Sequence, residues 1–204
     1  MTLYIRCLCR SKGVAVVEFA LVLPFLILLS LAVVDFSRFI QAQLIITNVS
    51  REGASLSARS TIDTAPGYQA IMNGLAASMP PLTMRKSGMI YITEVTAVSN
   101  NNTITNVVRN QYRWQQGWSS SSYEPVSTIW NCGANSTSWK ADGSCAMGTS
   151  KNEAELMNGE LNAGDLIYAV EIFYNLPSLF GGLEISSSIK VPTIGPTLHS
   201  MTVL

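Results

Sequence analysis

One histidine, four cysteines and no surplus of either charge restrict what this chain of 204 residues can do. The single His199 stands near the C-terminus with no serine or cysteine motif beside it, and the G-x-S-x-G, H-E-x-x-H, Walker and dinucleotide-binding patterns are all missing. Glu153 and Glu155 are two residues apart and would not share a helix face. No residue set can be nominated for catalysis, and neither a cofactor nor a resident metal is expected. The 13 basic and 13 acidic residues cancel. Phosphate contacts need a basic excess, so nucleic acid is not expected as a partner. The cysteines form no C-x-x-C pair. A metal site made of Cys132, Cys145 and His199 is therefore the weaker reading of those residues.

Charge is almost missing, for another reason, between Val14 and Val34. Only Glu18 is ionisable among these 21 residues. A helix of roughly 20 residues rises about 30 Å, the thickness of a bilayer core, so the run is expected to span a membrane. Arg6, Arg10 and Lys12 precede it, and no basic residue follows until Arg38. The positive-inside rule then leaves the N-terminus in the cytoplasm and sends the C-terminal bulk across. Beyond Gly13 the chain carries 10 basic and 13 acidic residues. Cys7 and Cys9 stay on the reducing side. Cys132 and Cys145 lie on the far side, where a bacterial periplasm would oxidise them to a disulfide. Closing a loop of that length contributes about 3 kcal/mol.

Three kinds of N-terminal segment fit such a run. A signal peptide cut after Ser30-Leu31-Ala32 satisfies the small-x-small rule, but the run is longer than the usual apolar region and the helical pattern continues past Ala32. A plain uncleaved signal anchor leaves Gly13 and Glu18 unexplained. A carboxylate inside an apolar span costs about 2.5–3.5 kcal/mol at the centre and less near an edge, and marks function by default. A headgroup-solvated edge acid is the bland account of Glu18. The sharper one gives it a partner, the α-amino group that cleavage after Gly13 would create on Val14 of a neighbouring copy.

Lys12-Gly13 followed by Val14-Ala15-Val16-Val17-Glu18-Phe19 resembles the type IV prepilin pattern, in which a glycine precedes the cut and a glutamate is fifth in the mature chain. The basic leader and the string from Gly13 to Pro24 resemble the Tad (Flp) branch, and within it the TadE-like minor pseudopilins. Asp35-Phe36-Ser37-Arg38 and Ser50-Arg51-Glu52-Gly53-Ala54 continue the likeness, which covers roughly residues 10–60. The major pilins of that branch are shorter and usually carry Glu-Tyr, whereas this chain has Glu18-Phe19 and a large C-terminal part. The resemblance implies cleavage after Gly13 by a prepilin peptidase and neutralisation of an adjacent subunit's amine by Glu18 during assembly. It also implies contact with other pilin and pseudopilin subunits and with an inner-membrane assembly platform.

Past the span, Phe36, Phe39, Ile40, Leu44, Ile45 and Val49 recur at helical spacing and predict one apolar stripe. The helix is expected to run from Val14 to Arg59, roughly 70 Å, with Asp35 and Arg38 paired on one face. Pro24 lies in its interior, as a local softening or a fixed kink. Ser60 to Gly67 reads as a break, Tyr68 to Met79 as a second helix ended by Pro80-Pro81, and Met89 to Val98 as a strand. Residues 99–150 are rich in Asn, Ser, Thr and Gly and hold all four tryptophans, Trp114, Trp118, Trp130 and Trp139. Strands and loops stapled by a Cys132–Cys145 bond are expected there. Glu153 to Leu161 reads as a short helix, and Leu166 to Tyr174 and Leu183 to Val191 as two last strands with Pro177 and Gly181-Gly182 between them. The tryptophans are expected to fill a core poor in aliphatics; a surface- or glycan-binding face is the alternative.

The expected fold is α+β, a long N-terminal transmembrane, pilin-like helix followed by a small antiparallel-sheet head with one disulfide. Residues 1–13 would be the cytoplasmic leader, 14–34 the transmembrane segment, 35–59 the helix continuation and 60–204 the extracytoplasmic head. Anchored once in the bacterial inner membrane with its head in the periplasm, or incorporated into an extracellular pilus, the chain would act in assembly or initiation of a Tad-type pilus. A pilus-tip adhesin binding through the Trp-rich head is the second reading, and a signal-anchored periplasmic enzyme the third.

Overall fold

One helix, α1 (Lys12–Arg59), runs for 48 residues. Pro24 sits inside it without ending it. In this computed structural model the described residues are 12–60, 64–100, 103–120, 123–133, 138–147, 152–179, 184–186, 189–190 and 194–204. The basic leader positions Arg6 and Arg10, together with Cys7 and Cys9, lie outside them. Two compact units result, Met1–Arg38 and Phe39–Leu204.

The first unit is the apolar stretch of α1. It is long and apolar enough to cross a membrane, and none of its most apolar window is buried. Phe25, Leu21 and Val16 are among many large apolar side chains left exposed. A water-soluble helix hides such residues, so a lipid or protein environment is required. At its polar end Arg38 and Asp35 form an i,i+3 ion pair at 3.5 Å.

The second unit is a four-stranded antiparallel sheet in the order β2-β1-β5-β8, built from β1 (Gly88–Asn100), β2 (Thr103–Arg113), β5 (Leu166–Pro177) and β8 (Ile194–Val203). Its central strands, β1 and β5, are buried on both faces. That is why Met89-Ile-Tyr-Ile-Thr-Glu-Val95 and Ile167-Tyr-Ala-Val-Glu-Ile-Phe173 read as near-continuous apolar runs, each broken by a single acid. One face carries Ile90, Ile92, Val170 and Ile172, and meets the rest of α1 and α2 (Ala65–Ala77). The opposite face carries Tyr91, Gln111, Glu171 and Phe173. It is covered by the segment 123–133 and the ribbon of β3 (Ser138–Trp139) and β4 (Cys145–Ala146). The short helices α3 (Met84–Ser87) and α4 (Gln115–Ser120) lie at the ends of β1 and β2, and β6 (Glu184–Ser186) pairs with β7 (Ile189–Lys190).

The apolar stripe expected beyond the span divides in two. Phe39 and Ile45 are half-buried and Val49 is buried, whereas Ile40, Leu44 and Phe36 are exposed. The face turned to the sheet uses small residues instead: Ala42, Ser50, Gly53, Ala54 and Ser57, with Ile46 between them. Close approach explains this. A Cβ on Gly53 would lie 2.7 Å from Leu75 Cδ1 and 3.1 Å from Val170 Cγ1. The Ser50 hydroxyl lies 2.9 Å from Ser200 Oγ and 2.8 Å from Thr202 Oγ1, tying helix to edge strand.

Three other expectations are corrected, and one strand is added. Pro66-Gly67 opens α2 rather than breaking the chain before it, because proline at the first helical positions loses no hydrogen bond. Glu153 to Leu161 is not helical. Its backbone pairs instead with the edge of β2, through Val108 N–H to Asn152 O at 2.7 Å and Ala154 N–H to Asn106 O at 2.9 Å. The single strand expected over 183–191 is the β6–β7 pair, with 187–188 outside the described residues. β8 was not foreseen; it includes Pro196, and an edge strand tolerates a proline that a central strand would not.

Gly53→Val should destabilise the head by about 1–3 kcal/mol through overpacking. Gly74→Ala, at a helical glycine where an added Cβ meets nothing within 4 Å, should stabilise it by about 0.5–1 kcal/mol. Thermal unfolding of the two variants in the full chain checks both, and equal shifts would contradict the close-approach account.

Candidate functional site

Gly13 lies in the first turn of α1, and Val14 beside it is 59% exposed. Glu18 is exposed one turn further on. Val14 and Glu18 are four apart, so they share one face of the helix. Among the described residues the Glu18 carboxylate has neither a hydrogen bond nor an ion pair. Its neighbours Val17, Phe19, Leu21 and Val22 are all exposed and apolar. The two ends of the chemistry expected from the sequence, a cut at Gly13–Val14 and a carboxylate at Glu18, thus stand on one exposed apolar surface.

Cys132 and Cys145 are brought together as expected, in a disulfide with their Cα atoms 6.0 Å apart. Both sulfurs are consumed by it, so the alternative metal site with His199 has no thiolate to offer. His199 instead stacks on Phe173, with ring centroids 4.4 Å apart.

Sequence reasoning missed the polar layer beneath the disulfide. Glu171 on β5 has no solvent exposure. It accepts hydrogen bonds from Ser127 Oγ, from Thr128 N–H at 2.9 Å and from Thr128 Oγ1 at 2.5 Å. His199 Nε2 lies 3.3 Å away without hydrogen-bond geometry. A buried carboxylate is tolerated only with such partners. Further along, Gln111 Nε2 donates to Trp130 O at 2.9 Å and the Tyr91 hydroxyl to Pro125 O at 2.6 Å. The segment 123–133 is therefore strapped to the sheet at Pro125, Ser127, Thr128 and Trp130, and to the β3–β4 ribbon at Cys132. The one available signal was Glu171 itself, an acid inside the run Tyr168–Tyr174. A second buried acid, Glu94, is held on the helix-covered face by the Tyr68 hydroxyl and by Asn110 Nδ2 at 2.7 Å.

Burial controls the phenols and the guanidinium of this layer. Removal from water pushes Tyr91 up to about 12, with Arg113 opposing and Glu171 and Glu124 adding to the shift. Desolvation lowers the Arg113 guanidinium, whose positive charge lies over the Trp139 ring at 4.9 Å. Burial and then Glu94 raise Tyr68 as well. Between its ordinary value of 10.0 and about 12, Tyr91 keeps its proton folded and loses it unfolded. Stability supplied by this group is complete below pH 10 and is lost as pH rises toward 12. Urea unfolding across that interval should show a falling midpoint, with a shallower fall in Tyr91→Phe; an identical slope would deny Tyr91 the role.

No curated protein and no solved structure matches the chain. A family model does, that of the family described as TadE-like protein, over residues 13–55. The match begins at Gly13, includes Val14 and Glu18, and ends just past Gly53, so it spans the exposed apolar surface of α1 and its small-residue face. Residues 13–55 are therefore similar to the TadE-like proteins of Tad pilus systems.

Proposed function

We propose that the protein is a minor pseudopilin that takes part in assembly or initiation of a Tad-type pilus. In this reading a prepilin peptidase removes residues 1–13 and frees the amine of Val14. Residues 14–34 span the inner membrane, 35–59 extend the helix, and residues 60–204 form a periplasmic head. Arg6, Arg10 and Lys12 hold the N-terminus in the cytoplasm. The observation that carries the proposal is Glu18, an exposed carboxylate on an apolar helix with no ion-pair partner among the described residues. Such a group needs a cation from another molecule, and the Val14 amine of an adjacent subunit is one. The exposed Ile40 and Leu44 give support. They present apolar surface outside residues 14–34, which neighbouring pilin and pseudopilin helices on the assembly platform would cover.

N-terminal sequencing of the protein from cells with and without the prepilin peptidase tests this reading. A mature chain should begin at Val14 only when the peptidase is present, and Gly13→Ala should abolish the cut. A start at Val33 would mean ordinary signal-peptide cleavage, and an intact Met1 a permanent anchor. Either would end the proposal. In the mature protein, Glu18→Gln should leave cleavage intact and reduce copurification with other pilin subunits by about tenfold or more, as loss of a partnered charge in a low-dielectric setting demands.

A further inference from the structure

On the sheet face away from α1, a pocket of about 250 Å³ opens between the strap 123–133 and the ribbon that carries Trp139. Its walls are Tyr91, Trp130 and Trp139, and its polar groups include Glu124, Ser127 and Asn131. It lies at the seam of two apolar clusters, since Trp130 packs against the one containing Val95 and Val108, and Trp139 against the one containing Tyr91 and Phe173. Both tryptophans are half-buried, and Glu124 and Asn131 are exposed. A core tryptophan is hidden like Trp114, which is 1% exposed with its indole N–H on Asn73 Oδ1. Trp130 and Trp139 instead present ring surface to an opening.

We infer that this pocket is a binding site for a neutral saccharide unit. Three observations converge on that chemistry. First, a pyranose ring has C–H faces and a hydroxyl rim. The faces suit the electron-rich surface of an indole, and the rim suits a carboxylate acceptor and an amide that both donates and accepts. Among the described residues no hydrogen bond engages the side chains of Glu124 or Asn131, so both are available to a ligand. Second, the charges balance. Glu124 is close enough to Arg113 to support its positive charge, and Arg113 in turn lies over Trp139. Glu124 is the charged side chain of the lining, and the nearby Arg113 offsets it. Third, the walls are fixed in advance. Glu171 is wholly buried, and three of its hydrogen bonds go to Ser127 and Thr128 of the strap. The Tyr91 hydroxyl, Gln111 and the disulfide secure the strap at three more points. Pockets held rigid before binding lose less entropy when a small ligand enters.

The inference is independent of cleavage at Gly13 and of assembly through Glu18. The test uses the full-length chain in phosphatidylcholine nanodiscs, which contain no sugar. Saturation-transfer NMR and tryptophan fluorescence are recorded with N-acetylglucosamine, galactose, glucose and mannose. Transfer to the ring protons of at least one sugar is expected, with a Kd of about 1 mM for a ligand of this size. Trp130→Ala should weaken it by about tenfold or more. Asn131→Ala, an exposed position that leaves the apolar clusters intact, should also weaken it while the thermal midpoint stays unchanged. No transfer to any of the four sugars would overturn the assignment. So would transfer that survives undiminished in both variants. Since the readout needs neither a peptidase nor a fibre, its failure would leave the assembly proposal standing, and the reverse holds too.

Discussion

The head depends on how closely α1 can lie against its sheet. Ser50 sets that distance, because its hydroxyl reaches both Ser200 and Thr202 of the edge strand. Ala42, Gly53, Ala54 and Ser57 keep the rest of the interface thin. Larger residues there would lift the helix and empty the core beneath it, where Ile90, Ile92, Val170 and Ile172 have no exposure at all. Close packing at crystal-like density leaves little room for such a shift. The requirement for small residues on the inner face also explains why the bulky ones, Ile40 and Leu44, are displaced to the outer face. One constraint thus produces both a packed head and an apolar surface that calls for a partner.

The two faces of the sheet solve burial differently. Against α1 and α2 the contact is mostly apolar, with Glu94 held by Tyr68 and Asn110 as its charged exception. Under the strap it is largely polar, organised by Glu171 and Gln111. A polar layer is satisfied only if each partner is in place. It therefore specifies one position for the strap more sharply than apolar packing would, at some expense in stability. The same segment carries Trp130 and Asn131 to the pocket, which links the specificity of the fold to the shape of the site.

Much of this was legible beforehand, and the failures have physical causes. The long helix was visible because composition alone sets it apart: 21 residues with one charge have few other fates in water or lipid. The disulfide followed from topology, since only Cys132 and Cys145 share the far side of the span. β1 and β5 were visible as β-rich runs. β8, which includes Pro196, was not foreseen, and the 153–161 segment was misread because pairing with a neighbouring strand edge overrides weak helical preference. The inner face of α1 escaped because periodicity marks large apolar residues and not the small ones that pack against the sheet. Gly13, Val14 and Glu18 could be nominated from their resemblance to the prepilin pattern, but the pocket could not. It joins residues from β1, the strap and β3, which are up to 48 positions apart in sequence, and no local pattern encodes such a meeting.

The Cys132–Cys145 bond joins residues only 13 apart, and this shapes the order in which the head can be made. In the proposed periplasmic placement of the head this local crosslink can close on its own, and it imposes nothing on the pairing of distant strands. Glu171 is synthesised after both cysteines, and β8 after Glu171. The stapled loop can therefore be complete before the carboxylate that docks it has emerged. A crosslink this local leaves the topology of the sheet undetermined. The slow, long-range pairing of β1 with β5 is left to decide the fold.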